Sequence, residues 1–149
     1  MSDKSVWATL SAIDCNEHVE KKGQFSYLAW TWAWAMVKEQ YPESVYRLHP
    51  DTTYPDGTME VRVEVMIKDG EKELSHLMWL PVLDHKNKPI ANPNAFDINT
   101  ARMRCLVKAC AMHGLGHYIF SGESAPADPG LSDEDWERFL AYLAEKDGL

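Results

Sequence analysis

The best candidates for binding an anion are three basic residues, Arg102, Arg104 and Lys108. They belong to the segment DINTARMRCLVKACAMHGLG, which predicts a helix with Asp97 as its N-cap and Gly114 at the position that ends it. Because Arg104 and Lys108 are four residues apart, they share one flank of that helix, whereas Arg102 projects from a different edge. The segment fits either a core helix with solvated basic side chains or a helix on a sheet that offers cations to phosphates.

The predicted helix also has apolar residues on two sides. Cys105 and Ala109 fall on one side, and Met103 and Val107 fall on the other. We therefore expect other elements to cover the helix on both sides.

The charge of the chain is unevenly distributed. The whole sequence carries a formal net charge of −8, but residues 1–120 contribute −2 and residues 121–149 contribute −6. Between His85 and Lys108 the balance is reversed, with five basic residues against one acidic residue. An acidic protein does not bind nucleic acid over its whole surface, so any phosphate-binding surface must be local.

The length and composition fit one compact cytoplasmic domain. With 149 residues, 45% of them hydrophobic, the chain can bury a core, and no long apolar span or signal peptide is evident. The three cysteines, Cys15, Cys105 and Cys110, lack metal-ligand spacing, which predicts reduced and mostly buried thiols. We expect no cofactor and no metal ion.

A tryptophan-rich segment precedes the predicted strands. The sequence SYLAWTWAWAMVKEQYP predicts a helix from Ser26, its N-cap, to the closing Tyr-Pro pair. Trp30 and Trp34 fall on one side of this helix and Trp32 on the opposite side. One side is therefore a candidate contact with another subunit, while a tryptophan-rich core and aromatic stacking on bases are the other interpretations.

Three strands are predicted next, at Ser44–His49, Thr58–Lys68 and Lys72–Pro81. The second alternates apolar with mostly charged residues, and Asp69-Gly70 predicts a two-residue hairpin turn into the third. The predicted fold class is α+β, a β-β-β-α core with an antiparallel three-stranded meander. The Trp-rich helix precedes this core and an acidic C-terminal helix follows it.

The sequence divides into a core domain at residues 1–122, a linker at residues 123–131 and an acidic amphipathic helix at residues 132–149. Ser132 begins the last segment with a capping-box-like pattern, and its apolar residues recur at helical spacing. This helix either binds a partner protein, competes with DNA for the basic residues, or packs on its own domain.

Three motifs occur in order over the central part of the chain, roughly two thirds of it: FSYLAWTWAWAMVKEQYP, MWLPVLDHKNKPI and DINTARMRCLVKACAMHGLGHYIFSGE. Together they resemble a phage family of single-strand annealing proteins in the superfamily of the eukaryotic recombination-mediator rings. The resemblance implies a β-β-β-α unit that assembles into rings or helical filaments. It also implies ATP-independent, non-catalytic binding of single-stranded DNA and annealing of complementary strands in homologous recombination and repair.

The resemblance places basic residues on the helix after the meander and glycines at its end. Lys86 and Lys88, in the polar loop before that helix, are further candidates for phosphate contacts. The DNA-binding candidates are Arg102, Arg104, Lys108, Lys86 and Lys88, and the structural or aromatic candidates are Trp30, Trp34, Gly114 and Gly116. The expected partners are single-stranded DNA, further copies of the chain, and a phage exonuclease or host single-strand-binding protein, with no membrane.

Two other functions fit parts of the sequence. The net charge of −8 would suit an acidic protein that mimics DNA or inhibits a partner. Scattered acidic residues such as Glu60 and Glu64 would suit a metal-dependent nuclease, although they also fit the polar face of a strand. His113 and His117 have the spacing of metal ligands on a helix, but the glycines near them indicate that the helix has already ended.

Overall fold

The described part of the chain forms a three-stranded antiparallel sheet, a two-stranded hairpin and three α-helices. A computed structural model describes residues 5–22, 25–119, 138 and 141. The helices are α1 (Val6–Ser11), α2 (Trp30–Gln40) and α3 (Ala95–Met112), and a short 3₁₀ turn spans Asn16–His18. The strands are β1 (Val19–Lys22), β2 (Phe25–Leu28), β3 (Val45–Thr53), β4 (Met59–Asp69) and β5 (Lys72–Pro81).

The central strand β4 supplies much of the core. The sheet order is β3-β4-β5, with both outer strands antiparallel to β4. Because side chains alternate along a strand, one face of β4 is completely buried, at Val61, Val63, Val65 and Ile67. α3 packs over β4 and β5. Cys105 and Val107, from the two predicted apolar sides of α3, are both buried. The helix is therefore covered on both sides, as predicted.

The predicted α+β class and three-stranded meander are confirmed, with β3 longer than expected. This strand continues past His49 to Thr53, and its register with β4 shifts between His49 and Thr52. A shift of this kind inserts unpaired residues and bends the strand. The bend follows Leu48, which is 48% exposed on this edge strand.

The hairpin turn between β4 and β5 lies one residue later than predicted. Asp69 pairs with Lys72, so the two turn residues are Gly70 and Glu71 rather than Asp69 and Gly70. Gly70 has φ +65°, a conformation that glycine adopts without steric cost. Pairing to the end of β4 therefore keeps Asp69 in the strand.

The predicted start of the Trp-rich helix at Ser26 is wrong. Ser26 lies in β2, which pairs antiparallel with β1 over all four of its residues. α2 begins at Trp30, and its N-cap, Ala29, makes no side-chain capping hydrogen bond. The Ala29 amide instead donates to the carbonyl oxygen of His18 at 3.2 Å, at the start of the hairpin. Pairing with β1 therefore removes residues 26–28 from the helix.

The N-cap of α3 is Asn94, not Asp97 as predicted. The Oδ1 atom of Asn94 accepts the Asp97 amide at 2.9 Å, and the Oδ2 atom of Asp97 accepts the Asn94 amide at 3.3 Å. This reciprocal pair is a capping box, so Asp97 stabilises the helix from its third position. The helix begins at Ala95.

Two glycines shape the chain after α3. Gly114 follows the C-cap His113 with φ +120°, and Gly116 has φ +69°. A Cβ atom on Gly114 would lie 3.0 Å from the carbonyl oxygen of Trp7, and one on Gly116 would lie 2.9 Å from a methyl carbon of Leu28. α1 and β2 therefore pack directly against this backbone, which only glycine permits at both positions.

The predicted linker at residues 123–131 lies outside the described residues, as does most of the predicted acidic helix at residues 132–149. Within the latter, Arg138 and Ala141 are helical and exposed. Among the residues that the structure describes, none of the helices combines the length and apolar character that crossing a membrane requires.

Candidate nucleic-acid interface

A groove lies between α3 and the β1–β2 hairpin, beside the start of α2. Its volume is about 350 Å³. The apolar side chains that line it are Leu28, Trp30, Leu80, Met103, Val107 and Ile119. The charged side chains that line it are Glu20, Arg104 and Lys108. The groove therefore combines apolar surface with a local excess of positive charge.

Helical periodicity brings the two cations to the groove. Thr100, Arg104 and Lys108 recur at intervals of four residues, and all three line the groove. Buried residues of α3, among them Ala101, Cys105 and Ala109, pack into the core and fix the helix on β4 and β5. The rotation of α3 about its axis is therefore set by its packed core side, and this flank is directed into the groove.

Arg104 is held by neutral groups. Its guanidinium carbon lies 4.6 Å from the centre of the Tyr27 ring, a cation–π contact. Its Nη1 atom donates to the side-chain oxygen of Asn87 at 3.4 Å. Neither contact cancels the positive charge, and a guanidinium has further N–H donors for a ligand.

Lys108 is also bound to a neutral acceptor. Its Nζ atom donates to the main-chain carbonyl oxygen of Trp79 at 3.1 Å. Among the described residues, neither Lys108 nor Arg104 forms an ion pair. Of the described residues that line the groove, Glu20 alone carries a carboxylate. The described part of the groove therefore presents two cations and one acidic group.

Arg102 lies in a different environment from the other two cations of α3. Its Nη2 atom is 2.7 Å from a carboxylate oxygen of Asp51, on β3. The Nε atom of Arg102 and the second carboxylate oxygen of Asp51 are buried and have no hydrogen-bond partner among the described residues. All three residues are DNA-binding candidates from the sequence, and the structure places Arg104 and Lys108 together at the groove, with Arg102 on a different edge as the spacing predicted.

The loop that carries Lys86 and Lys88 is folded around Asp84. One carboxylate oxygen of Asp84 accepts the amides of Lys86 at 2.8 Å and Lys88 at 3.0 Å. These hydrogen bonds from the Lys88 and Lys86 amides hold the pKa of Asp84 below its usual value. Both lysines are exposed. Asn87, between them, contacts Arg104, so the loop lies next to the groove.

The two tryptophans predicted as aromatic candidates lie in different places. Trp30 lines the groove and is 40% exposed. Trp34 packs edge-on against Tyr46 of β3, with ring centres 5.1 Å apart, and contacts the core. Trp32, between them, stacks on His18 at 4.1 Å. Of the three, Trp30 lines the groove.

On the outer face of the sheet, opposite α3, basic residues contact carboxylates. His49 contacts Glu64 at 2.9 Å and Arg62 contacts Glu60 at 3.1 Å. The hydrogen bond from His49 is the main cause of a lowered pKa at Glu64. Trp79 projects from this face and is 52% exposed. Glu60 thus forms an ion pair, and Glu64 a hydrogen bond, with neighbouring strand residues.

The cysteines and histidines do not form a reactive or metal-binding cluster in the described part of the chain. Cys15, Cys105 and Cys110 are free and buried, as predicted. Burial raises the pKa of Cys15 and Cys105 to about 11 and that of Cys110 to about 12, so these thiols stay protonated near neutral pH. His113 is buried with its Nε2 atom 2.9 Å from the Val65 carbonyl oxygen.

Three residues of this region were missed by the sequence analysis: Glu20, Tyr27 and Asn87. Glu20 and Tyr27 face each other as a pair in the β1–β2 hairpin. Gly23 lies between two short polar–apolar segments and is a sequence signal for a turn. The residues from Ser26 onward also fit a helix, so the hairpin was not predicted. Nothing local in the sequence links Asn87 to Arg104, which lies 17 positions further along the chain.

One comparison with known proteins identifies a family. A family model described as the Sak single-strand annealing protein matches residues 4–141. Neither a curated protein nor a solved structure matches the chain. The family model covers most of the chain, including the start of the predicted acidic helix. The chain therefore belongs to the Sak family of single-strand annealing proteins, and membership implies single-strand annealing in recombination.

Proposed function

We propose that the groove beside α3 binds the backbone of single-stranded DNA, and that the protein anneals complementary strands without ATP and without making or breaking a covalent bond. The observation that carries the proposal is the pair Arg104 and Lys108. Both line the groove, and they contact an amide oxygen, an aromatic ring and a main-chain carbonyl oxygen. Cations held by neutral groups keep their charge for a ligand.

The composition of the groove fits single-stranded rather than double-stranded DNA. Backbone phosphates need cations, while unpaired bases gain from contact with aromatic or apolar surface and need no sequence-specific hydrogen bonds. Arg104 and Lys108 supply the first requirement. Trp30, Met103 and Leu80 supply the second. Lys86 and Lys88 extend the basic surface beyond the groove, where they contact phosphates of the same strand.

Assembly into a ring or filament makes such a small site effective. One groove of about 350 Å³ holds only a short piece of a strand, so affinity for a long strand comes from several copies acting along it. Exposed apolar side chains support contacts between copies. Leu77 is 43% exposed and Trp79 52% exposed on the outer face of β5, and Leu48 is 48% exposed on β3. Both β3 and β5 are edge strands of the sheet.

The test is annealing of two complementary labelled oligonucleotides, with and without the protein, at low and moderate salt. No nucleotide or metal ion is added. We expect faster annealing with the protein and binding of each single strand. A parallel sample with magnesium should show no cleavage. If the protein neither binds the strands nor speeds their annealing at low salt, the proposal is wrong, and the DNA-mimic interpretation becomes the one to test with basic proteins.

A further inference from the structure

The loop between β5 and α3 contains an asparagine in an unusual conformation. Asn87 has φ +58°, in the left-handed region that asparagine enters more readily than most residues. Its amide donates to the Asp84 carbonyl oxygen at 2.9 Å, and the Asp84 amide donates to the Lys88 carbonyl oxygen at 2.8 Å. The Asp84 carboxylate also accepts hydrogen bonds from the amides of Lys86 and Lys88. Together these contacts close a tight turn. The backbone therefore fixes the direction of the Cα–Cβ bond of Asn87.

The side-chain oxygen of Asn87 lies where two groove residues meet. It accepts a hydrogen bond from the Tyr27 hydroxyl at 3.3 Å and another from Arg104 Nη1 at 3.4 Å. Arg104 in turn lies over the Tyr27 ring. One atom of the loop therefore links strand β2 with helix α3 across the edge of the groove.

The chemical type of this acceptor matters for the charge of the groove. An arginine on a flexible side chain loses conformational entropy when it binds a phosphate, unless other contacts have already fixed it. An amide oxygen fixes the guanidinium and leaves its full positive charge. A carboxylate at the same place would fix it more strongly but would neutralise it, as Asp51 does for Arg102.

The geometry points to Asn87 as a positioning residue that orients Arg104 and Tyr27 for the DNA backbone while keeping the groove positive. This inference rests on the proposed function, because it assigns the role of Asn87 within the same site. The same contact holds the loop against α3, which brings Lys86 and Lys88 beside Arg104. We expect Asn87 to act through Arg104 and not through direct binding.

The chain offers a matched control. Asn92 also has a left-handed conformation, with φ +54°, and also lies in the loop before α3. Its amide donates to the Gly57 carbonyl oxygen at 2.7 Å, and its side chain lies against Gly57, not against a groove residue. N87D and N92D therefore add the same charge at similar backbone conformations, but only N87D places it next to Arg104.

The experiment measures binding of a labelled oligothymidine to the full-length chain by fluorescence anisotropy over a range of salt concentrations. We expect N87D to weaken binding about five- to twentyfold and to reduce the salt slope by about 0.7, the value for one lost phosphate contact on a single strand. N92D should change affinity less than about twofold. N87G, which keeps the backbone conformation available but removes the amide, should weaken binding by a smaller factor.

A double-mutant cycle separates positioning from general charge repulsion. If Asn87 acts through Arg104, N87D in an R104A background should change affinity less than about twofold. An equally large effect of N87D with and without Arg104, or equal effects of N87D and N92D, would overturn the inference while leaving the proposed function intact. If the wild-type chain does not bind the oligonucleotide, both proposals are wrong. Circular dichroism of each variant shows whether it has folded.

Discussion

The two basic sides of α3 differ in what their cations contact. On one side, Arg102 is 2.7 Å from the carboxylate of Asp51. On the other, Arg104 and Lys108 contact an amide oxygen, a tyrosine ring and a main-chain carbonyl oxygen. All three residues lie within two turns of the same helix. The comparison teaches that a basic helix must be judged by the partners of each cation and not by their number.

The same distinction separates the groove from the outer face of the sheet. Arg62 and Lys68 on that face contact Glu60 and Glu43, at 3.1 Å and 4.0 Å. Exposed ion pairs contribute little to stability, but they do lower the local positive charge. In an acidic protein, the better candidate for binding DNA is therefore a surface on which basic residues lack carboxylate partners.

The largest expected effect follows from removing both groove cations. R104A/K108A should weaken binding of single-stranded DNA by about tenfold or more and reduce the salt slope by about 0.7 for each lost cation. Annealing should slow in parallel. The matched control is R62A/K68A, which makes the same charge change on the outer face and should leave affinity nearly unchanged. An unaltered salt slope in R104A/K108A would remove both residues from the site.

The opposite pattern is expected on the other side of the helix. R102A should leave the Asp51 carboxylate without its partner and reduce the free energy of unfolding by about 1–3 kcal/mol, discounted because the pair is partly exposed. Urea denaturation measures this change. Affinity for single-stranded DNA should stay within about twofold of wild type. A fully stable R102A with poor DNA binding would show that Arg102 contacts DNA after all.

His113, the C-cap of α3, contacts the sheet at Val65, and its contribution to stability should depend on pH. Burial lowers the pKa of His113 below its ordinary value of 6.5, so the unfolded chain takes up a proton at higher pH than the folded one. The contribution of His113 to stability is therefore complete above pH 6.5 and is lost as the pH falls towards its lowered pKa. H113Q, which retains a donor for the Val65 carbonyl oxygen, should have a flatter stability profile below pH 6.5. Equal profiles for H113Q and wild type would contradict this assignment.

The smallest expected effect concerns the acidic residue in the groove. Glu20 lines the groove with Arg104 and Lys108 and opposes the approach of a phosphate. E20Q should therefore strengthen binding by about two- to threefold, with the larger gain at low salt. E73Q, an exposed change on β5, is the control for net charge. Weaker binding by E20Q would mean that Glu20 orients a groove cation instead of repelling the ligand.

Regular local patterns were the part of the fold that the sequence predicted well. The alternation of β4 and the glycine turn into β5 predicted the main hairpin to within one residue, because side-chain periodicity and turn chemistry act over a few residues. The basic flank of α3 was also predicted from spacing alone. The two errors in helix starts, at Ser26 and Asp97, occurred where another segment or residue competed for the same role. Ser26 pairs with β1 as part of strand β2, and Asn94 is the N-cap of α3.

The contacts that distinguish one cation from another were beyond prediction from the sequence. Arg102 and Asp51 are 51 positions apart, and Lys108 reaches the carbonyl oxygen of Trp79 from 29 positions away. Such pairs depend on how the helix is rotated on the sheet, which the packing of the whole core sets. Spacing placed Arg104 and Lys108 on one flank, but it gave no information on which element that flank would face.

The close contact of α1 with Gly114 has a consequence for how the chain is made. The carbonyl oxygen of Trp7 and the amide of Ser11 lie within 3.2 Å of the position that a Cβ atom on Gly114 would take. α1 leaves the ribosome before α3, but its contact with Gly114 can form only when the end of α3 has emerged. At about 5–20 residues per second, α1 waits for roughly 5–20 seconds before this contact forms. The apolar residues of α1 are therefore exposed to aggregation during that interval, and translation speed should influence the yield.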